Sequence, residues 1–408
     1  MDFKKFGFMP ADILIPENVD MKKWSVVACD QYTSQPDYWE RVEKTVGDEP
    51  STYNLTFPEI YLEKVDNQEK INSINSAMDK YLSDDIFREL KNSFIYVKRE
   101  VSTNKTRKGL MGMVDLEAYD YTKGSKTLIR ATEGTVLERI PPRVKIRINA
   151  SLELPHVMLL IDDKENLLFG AIDESGEVVY DFDLMENSGH ITGYKTEPAK
   201  EIYDALDKIL TSCNSDSPLL FAVGDGNHSL ATAKQCWEQI KENLSEEEKK
   251  THPARYSLVE LVNIHDESLE FEPIHRVLFD CDPEKIINDI KSHYSASDNP
   301  TEGAQELIYV IEGQKKSMYI KNPPSYLPVG TLQAYIDSYL KDMKVDYIHG
   351  ADVTESLSHG NNLGFILPPM DKSDLFKTVI ADGALPRKTF SMGEACDKRF
   401  YLECRKVK

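Results

Sequence analysis

Leu219-Leu220-Phe221-Ala222-Val223-Gly224-Asp225-Gly226-Asn227-His228-Ser229-Leu230-Ala231-Thr232-Ala233-Lys234-Gln235-Cys236-Trp237 is the stretch on which the fold turns. An apolar run, Leu219 to Val223, stops at Gly224-Asp225-Gly226-Asn227-His228. Leu230, Ala233, Trp237 and Ile240 then recur at helical spacing. The pattern predicts a buried strand, a tight glycine-rich turn and a helix. Such a turn aims the unpaired N–H groups of a helix N-terminus at whatever lies above it, which makes an anion site. Gly224 and Gly226 allow close backbone approach and positive φ. Asp and Asn are also common helix caps, and the stretch matches neither the Walker A pattern nor G-x-G-x-x-G.

Outward from the turn, the whole chain sets bounds. Its 408 residues suffice for two or three domains at roughly 150 residues each. With 40% hydrophobic residues it can bury a large core. The formal charge of −20, from 69 acidic and 49 basic residues, disfavours a sequence-independent grip on nucleic acid. No apolar run is long enough to span a membrane, and the N-terminus lacks the apolar stretch of a secretory signal. The six cysteines show no C-x-x-C, so they read as reduced thiols of a cytoplasmic protein.

Periodicity predicts helices over 36–46, 66–90, 198–211, 283–293, 329–343 and 373–381. Strand character runs over 93–101, 110–119, 157–163, 166–172, 176–183, 256–264, 361–367 and 399–404, with a hairpin about Glu312-Gly313. The expected class is α/β, mixed α+β. The expected organisation is an N-terminal α/β segment 1–110, a core 111–295 carrying the turn, and a C-terminal α/β segment 296–408.

Four segments cluster polar chemistry. The first is the turn with Asp225 and His228. The second is Arg130, Glu133 and Thr135, followed by Glu138, Arg139, Arg143, Lys145 and Arg147, a basic stretch suited to an anionic substrate. The third is Glu272-Pro273-Ile274-His275-Arg276, and the fourth Arg387-Lys388-Thr389-Phe390-Ser391. His190 and His349 read as structural, and no H-x-x-x-H pair supports zinc. Mg²⁺ needs only one or two carboxylates beside substrate phosphates, which Asp225 and Glu133 would supply. No G-x-S-x-G marks a serine hydrolase.

Asp225-Gly226-Asn227-His228-Ser229 resembles the D-G-H-H-R motif of domain-of-unknown-function family 1015, in the ParB/sulfiredoxin-like superfamily. Other segments resemble that family in the same order. They are Val26 to Tyr32, Ile129 to Thr135, Leu261-Val262-Asn263 leading to Pro273-Ile274-His275-Arg276, and Leu385 to Ser391. The Arg of the family motif is Ser229 here. The resemblance implies a ParB/sulfiredoxin-like core whose turn handles phosphate. Sulfiredoxins carry a cysteine in that turn and this chain does not, which disfavours their reaction. The D-G-x-H form is similar to that of free-serine kinases.

The resemblance thus implies a nucleotide-dependent phosphotransferase using ADP or ATP and Mg²⁺ on a small hydroxylated metabolite, with L-serine or O-phosphoserine the best instance. Glu133, Asp225 and His228 would be catalytic, and Glu133 or Asp225 the base; the upstream Glu of free-serine kinases favours Glu133. Gly224, Gly226, Asn227, Ser229, Arg130, Thr135, Arg143, His275, Arg276, Lys388 and Thr389 would bind phosphate or nucleotide. A nucleotide-binding regulator without catalysis and a phosphoserine phosphatase-like hydrolase are the alternatives. Neither nucleic acid nor membrane is an expected partner.

Overall fold

The computed structural model describes residues 1–62, 67–134, 140–213 and 216–408. The chain folds as two compact units: Met1–Leu269 with Glu394–Lys408, and Glu270–Gly393. The class is mixed α/β, as expected. Among the described residues, no helix is long and apolar enough to cross a membrane.

The first unit is built on an eleven-stranded sheet, counted over the described residues. The motif strand, Phe221–Asp225, lies inside it because Phe221, Ala222 and Val223 are fully buried. It runs antiparallel to Met158–Ile161 on one side and parallel to Ile129–Ala131 on the other. Tyr256–Asn263 follows next to Met158–Ile161, then the long hairpin of Thr106–Asp115 and Phe87–Glu100. Helix Lys200–Ser212 buries Ile202, Ala205, Leu206 and Ile209, an i, i+3, i+4, i+7 stripe. Helix Asn227–Lys241 buries Leu230, Ala233 and Trp237 in the same cluster as the motif strand.

Three expectations are corrected here. The helix expected over 66–90 ends at Ser83, and a strand begins at Phe87. Asp85 reverses the chain with φ +54°, and pairing with Ala11–Pro16 draws the following residues into the sheet. The strand expected over 166–172 is instead a helical turn, Leu167–Gly170. The Asp163 carboxylate accepts from the amides of Leu167 and Leu168 at 2.9 and 2.8 Å, which caps that turn. The boundaries at 110 and 295 fall inside units. Leu110 pairs with Tyr96 on one side and Leu261 on the other, and residue 295 closes helix Pro283–Tyr294 of the second unit.

The second unit has a six-stranded sheet among the described residues. The hairpin Gln305–Ile311 and Gln314–Ile320 pairs with Leu363–Ile366, and that strand with Phe271–Leu278. Val345–His349 and Phe390–Met392 complete it. Helices Pro283–Tyr294, Pro328–Tyr339 and Lys372–Asp382 carry its apolar faces.

Candidate active site

The parallel pair Ile129–Ala131 and Phe221–Asp225 ends at one edge of the sheet, and both chains leave it there. Crevices outside the carboxyl ends of parallel strands are where α/β sheets bind ligands. Gly226 makes the turn at φ +76°, and a Cβ on it would lie 3.0 Å from the Val157 Cα, so glycine fits both the angle and the space. The helix starts at Asn227, and its first intrahelical bond is Leu230 N–H to the Gly226 carbonyl at 3.0 Å. The amides of Asn227, His228 and Ser229 precede that bond, so they have no partner within the helix, and the helix dipole there favours negative charge. Asn227 ties the two strand ends together. Its Oδ1 accepts from the Thr132 amide at 3.2 Å, and its Nδ2 donates to Thr132 Oγ1 at 3.3 Å and to the Val223 carbonyl at 3.4 Å. Thr132 Oγ1 itself donates to the Val223 carbonyl at 2.6 Å. Glu133 follows, half-buried, at this edge.

Asp225 is engaged from two sides. Its Oδ1 accepts from the Gly226 amide at 2.9 Å, and Oδ2 lies 3.2 Å from Lys398 Nζ. Burial opposes the charge, but Lys398, His156 and the Gly226 amide outweigh it and hold the carboxyl below its ordinary range. Beside the turn, Tyr401 Oη is 2.9 Å from His156 Nδ1 and 3.1 Å from Cys29 Sγ, and the Cys29 amide donates to it at 3.3 Å. Burial, with Asp30 adding, pushes the Cys29 thiol up to about 12, so it is a thiol and no nucleophile at neutral pH. Cys29, His156, Tyr401, Ser229 and Thr232 line a cavity of about 150 Å³, and Arg143 sits on its wall paired with Glu59.

The profile described as protein of unknown function (DUF1015) matches residues 14–339. The chain belongs to the DUF1015 family. No curated protein matches it. Among solved structures, a free serine kinase variant in complex with AMP is similar at 11% identity and TM-score 0.39, covering 75% of this chain and 95% of that one. SbnI with a C-terminal truncation from Staphylococcus aureus is similar at 9% identity and TM-score 0.37, covering 69% and 82%. A conserved hypothetical protein from Pyrococcus furiosus is similar at 11% and 0.34, covering 72% and 94%.

Within this DUF1015 chain, several residues expected to bind phosphate have other partners. Arg130 is 2% exposed and donates to the carbonyls of Thr127 and Pro218 at 2.8 and 3.0 Å, tying together the segments that lead into the two parallel strands. Arg143 is drawn to Glu59, whose carboxylate neutralises it. The Asn227 side chain is the clamp described above, which leaves its amide for a ligand. Gly224 lies within the strand, one residue before its end at Asp225, and Ser229 faces the cavity. Half-buried His228 is the second helical residue, and its carbonyl accepts from Thr232 Oγ1 at 2.7 Å.

His275, Arg276, Lys388 and Thr389 belong to the second unit. Buried Arg276 donates to the carbonyls of Ile274, Lys388 and Arg387, so its charge serves the fold. His275 accepts from the Leu367 amide at 3.1 Å, and burial, with Arg276 adding, lowers its basicity and keeps it neutral. The Thr389 hydroxyl donates to the Pro386 carbonyl at 2.7 Å, while Lys388 is exposed. Thr135, Glu138 and Arg139 lie outside the described residues.

Magnesium on Asp225 does not fit. An ammonium already faces that carboxylate, and an added cation would stand against it. Among the described residues, no group of three or more His, Cys, Asp or Glu side chains is placed to hold a metal. Sequence reasoning passed over His156, Tyr401 and Lys398. The one local sign was Asp397-Lys398-Arg399, charges set directly before the apolar run Phe400-Tyr401-Leu402.

Proposed function

We propose that this protein is a nucleotide-dependent phosphotransferase acting on a small hydroxylated metabolite, with ADP or ATP as the nucleotide. The observation that carries the reading is the junction of a helix N-terminus, an Asp225–Lys398 pair and Glu133 at the ends of two parallel strands. The amides of Asn227, His228 and Ser229 hold the transferring phosphoryl, and Lys398 offsets the charge that builds there. Asp225 orients Lys398. Held ionised by that cation, it is a weak proton acceptor, so Glu133 takes the hydroxyl proton. His228 hydrogen-bonds the phosphoryl oxygens. The resemblance of the turn to that of free-serine kinases makes L-serine and O-phosphoserine the first substrates to test. Asp225, taken by Lys398, is not free to hold a metal.

The test is purified protein with O-phospho-L-serine, ADP and Mg²⁺, following serine, ATP and inorganic phosphate. Serine and ATP in equal amounts establish transfer. Free phosphate without ATP means a hydrolase, and binding without turnover means a nucleotide-responsive regulator. In a transferring enzyme, Glu133→Gln lowers kcat by roughly 10²–10⁴-fold with nucleotide affinity unchanged. Full turnover by that variant removes Glu133 from the mechanism.

A further inference from the structure

The cavity beside the turn has one wall that phosphate chemistry does not explain. Leu55, Phe57, Met78 and Leu152 belong to a single buried apolar cluster, with Ile146 and Leu154 packed on it, and all six line the cavity. Four of the charged groups on the wall come as pairs, Arg143 with Glu59 and Arg147 with Glu153, and the fifth, Asp30, accepts from Gln31 Nε2 at 3.0 Å. Its polar groups are largely engaged with one another or with the backbone. Tyr401 joins His156 and Cys29, and the Thr232 hydroxyl donates to the His228 carbonyl.

A water in such a space finds few of the two to four partners it needs, whereas an apolar group gains by entering. The volume of about 150 Å³ is that of a cavity that takes a benzene-sized ring. A serine side chain is far smaller. A nucleobase carries hydrogen-bonding edges that the leucine, phenylalanine and methionine walls would leave unpaired, at a cost.

We infer that the acceptor is a small alcohol, or its phosphate ester, with an apolar body about the size of a phenyl ring, seated in this cavity with its oxygen end toward Ser229. The inference rests on the phosphate-holding turn proposed above. It narrows the small hydroxylated metabolite of that reading to a class more hydrophobic than serine at the same site.

Calorimetry on the full chain with inorganic phosphate, phenyl phosphate, phenol and AMP tests it. Burying a phenyl ring is expected to make phenyl phosphate bind about ten- to hundred-fold tighter than inorganic phosphate. Ile146→Trp fills the cavity from a half-buried position. It should cut that advantage to about three-fold or less while inorganic phosphate binds as before. Met78→Trp, from the opposite chain segment, serves if the first variant fails to fold. Equal binding of phenyl and inorganic phosphate by the wild type overturns the apolar seat and leaves the phosphate turn standing. Loss of AMP binding in the tryptophan variants, with phenyl phosphate unaffected, overturns it in favour of a base pocket. Phenol binding that Ile146→Trp removes, with no phosphate binding at all, keeps the apolar seat and overturns the turn. Silence from all four probes overturns both.

Discussion

Asp225 accepts from the Gly226 amide at 2.9 Å and faces Lys398 at 3.2 Å, so its negative charge is used twice. It fixes the entry to the helix, and it holds an ammonium beside the turn. The sign of the pH effect follows from the depressed carboxyl. An Asp whose folded pKa lies below its unfolded value of about 3.9 contributes stability that is present above that value and lost as pH falls through the folded one. In Lys398→Met the carboxyl keeps the burial that raises it and loses the first of the groups that lower it. The wild type should therefore melt above the variant at pH 7, and the gap should narrow as pH falls toward about 3. The Asp225 side chain is 28% exposed, so solvent screening keeps the gap modest. Thermal melts over that range check it, and a gap that widens on acidification rules the pair out as the cause. In a turnover assay the same variant should lose at least about ten-fold in kcat/KM, one missing charge-assisted contact.

At the scale of elements, the site depends on two strand ends being held side by side, and Asn227 is the clamp. Asn227→Ala removes its contacts to the Thr132 amide and hydroxyl and to the Val223 carbonyl. The expected cost is about 1–3 kcal/mol, because the Thr132 amide loses its acceptor. Activity should fall further than stability does, since Glu133 follows Thr132 directly. Denaturant midpoints with parallel rate measurements separate the two, and a variant with wild-type rates means the edge holds without the clamp.

The same scale shows what could be read in advance. The strand, turn and helix at 221–241 were legible because apolar runs, glycines and 3.6-residue spacing are local signals. Helix Pro36–Val46 and the hairpin at Glu312-Gly313 were legible for the same reason. Helix 66–90 was overrun because a sheet partner at Ala11–Pro16 claims its end, and such pairing leaves no local trace. Arg130 and Arg276 looked like ligand cations because residue type does not report burial. Each turned out to spend its guanidinium on backbone carbonyls. Lys398, His156 and Tyr401 escaped notice because each reaches the turn only through tertiary packing.

Over the whole molecule, the chain leaves the first unit at Leu269 and returns to it at Glu394. The returning segment carries Lys398 and Tyr401 to the site, and it is fixed from below by charge. Arg399 is 3.0 Å from Glu260 and pairs with Glu403, and all three side chains are buried. Burial opposes the Arg399 charge, but Glu403 and Glu260 outweigh it. Arg405 holds Glu153 at 2.7 Å, and the Leu402 carbonyl accepts from Trp24 Nε1 at 2.9 Å.

A chain ended after Gly393 keeps every residue of the second unit and loses all of this. Glu260 would be left with Arg107 at 3.9 Å, and a buried carboxylate stripped of its main cation costs about 3–5 kcal/mol. The exposed apolar surface left by Phe400, Leu402 and Cys404 adds to that. Against a typical total of about 5–15 kcal/mol, the first unit should lose its cooperative transition while the second keeps its own. Calorimetry would then show one remaining endotherm, and limited proteolysis would leave a fragment within 270–393. A truncated chain whose first unit still melts within about 3 °C of the wild type would mean that these buried charges are not what holds the returning segment, and with it the site, in place.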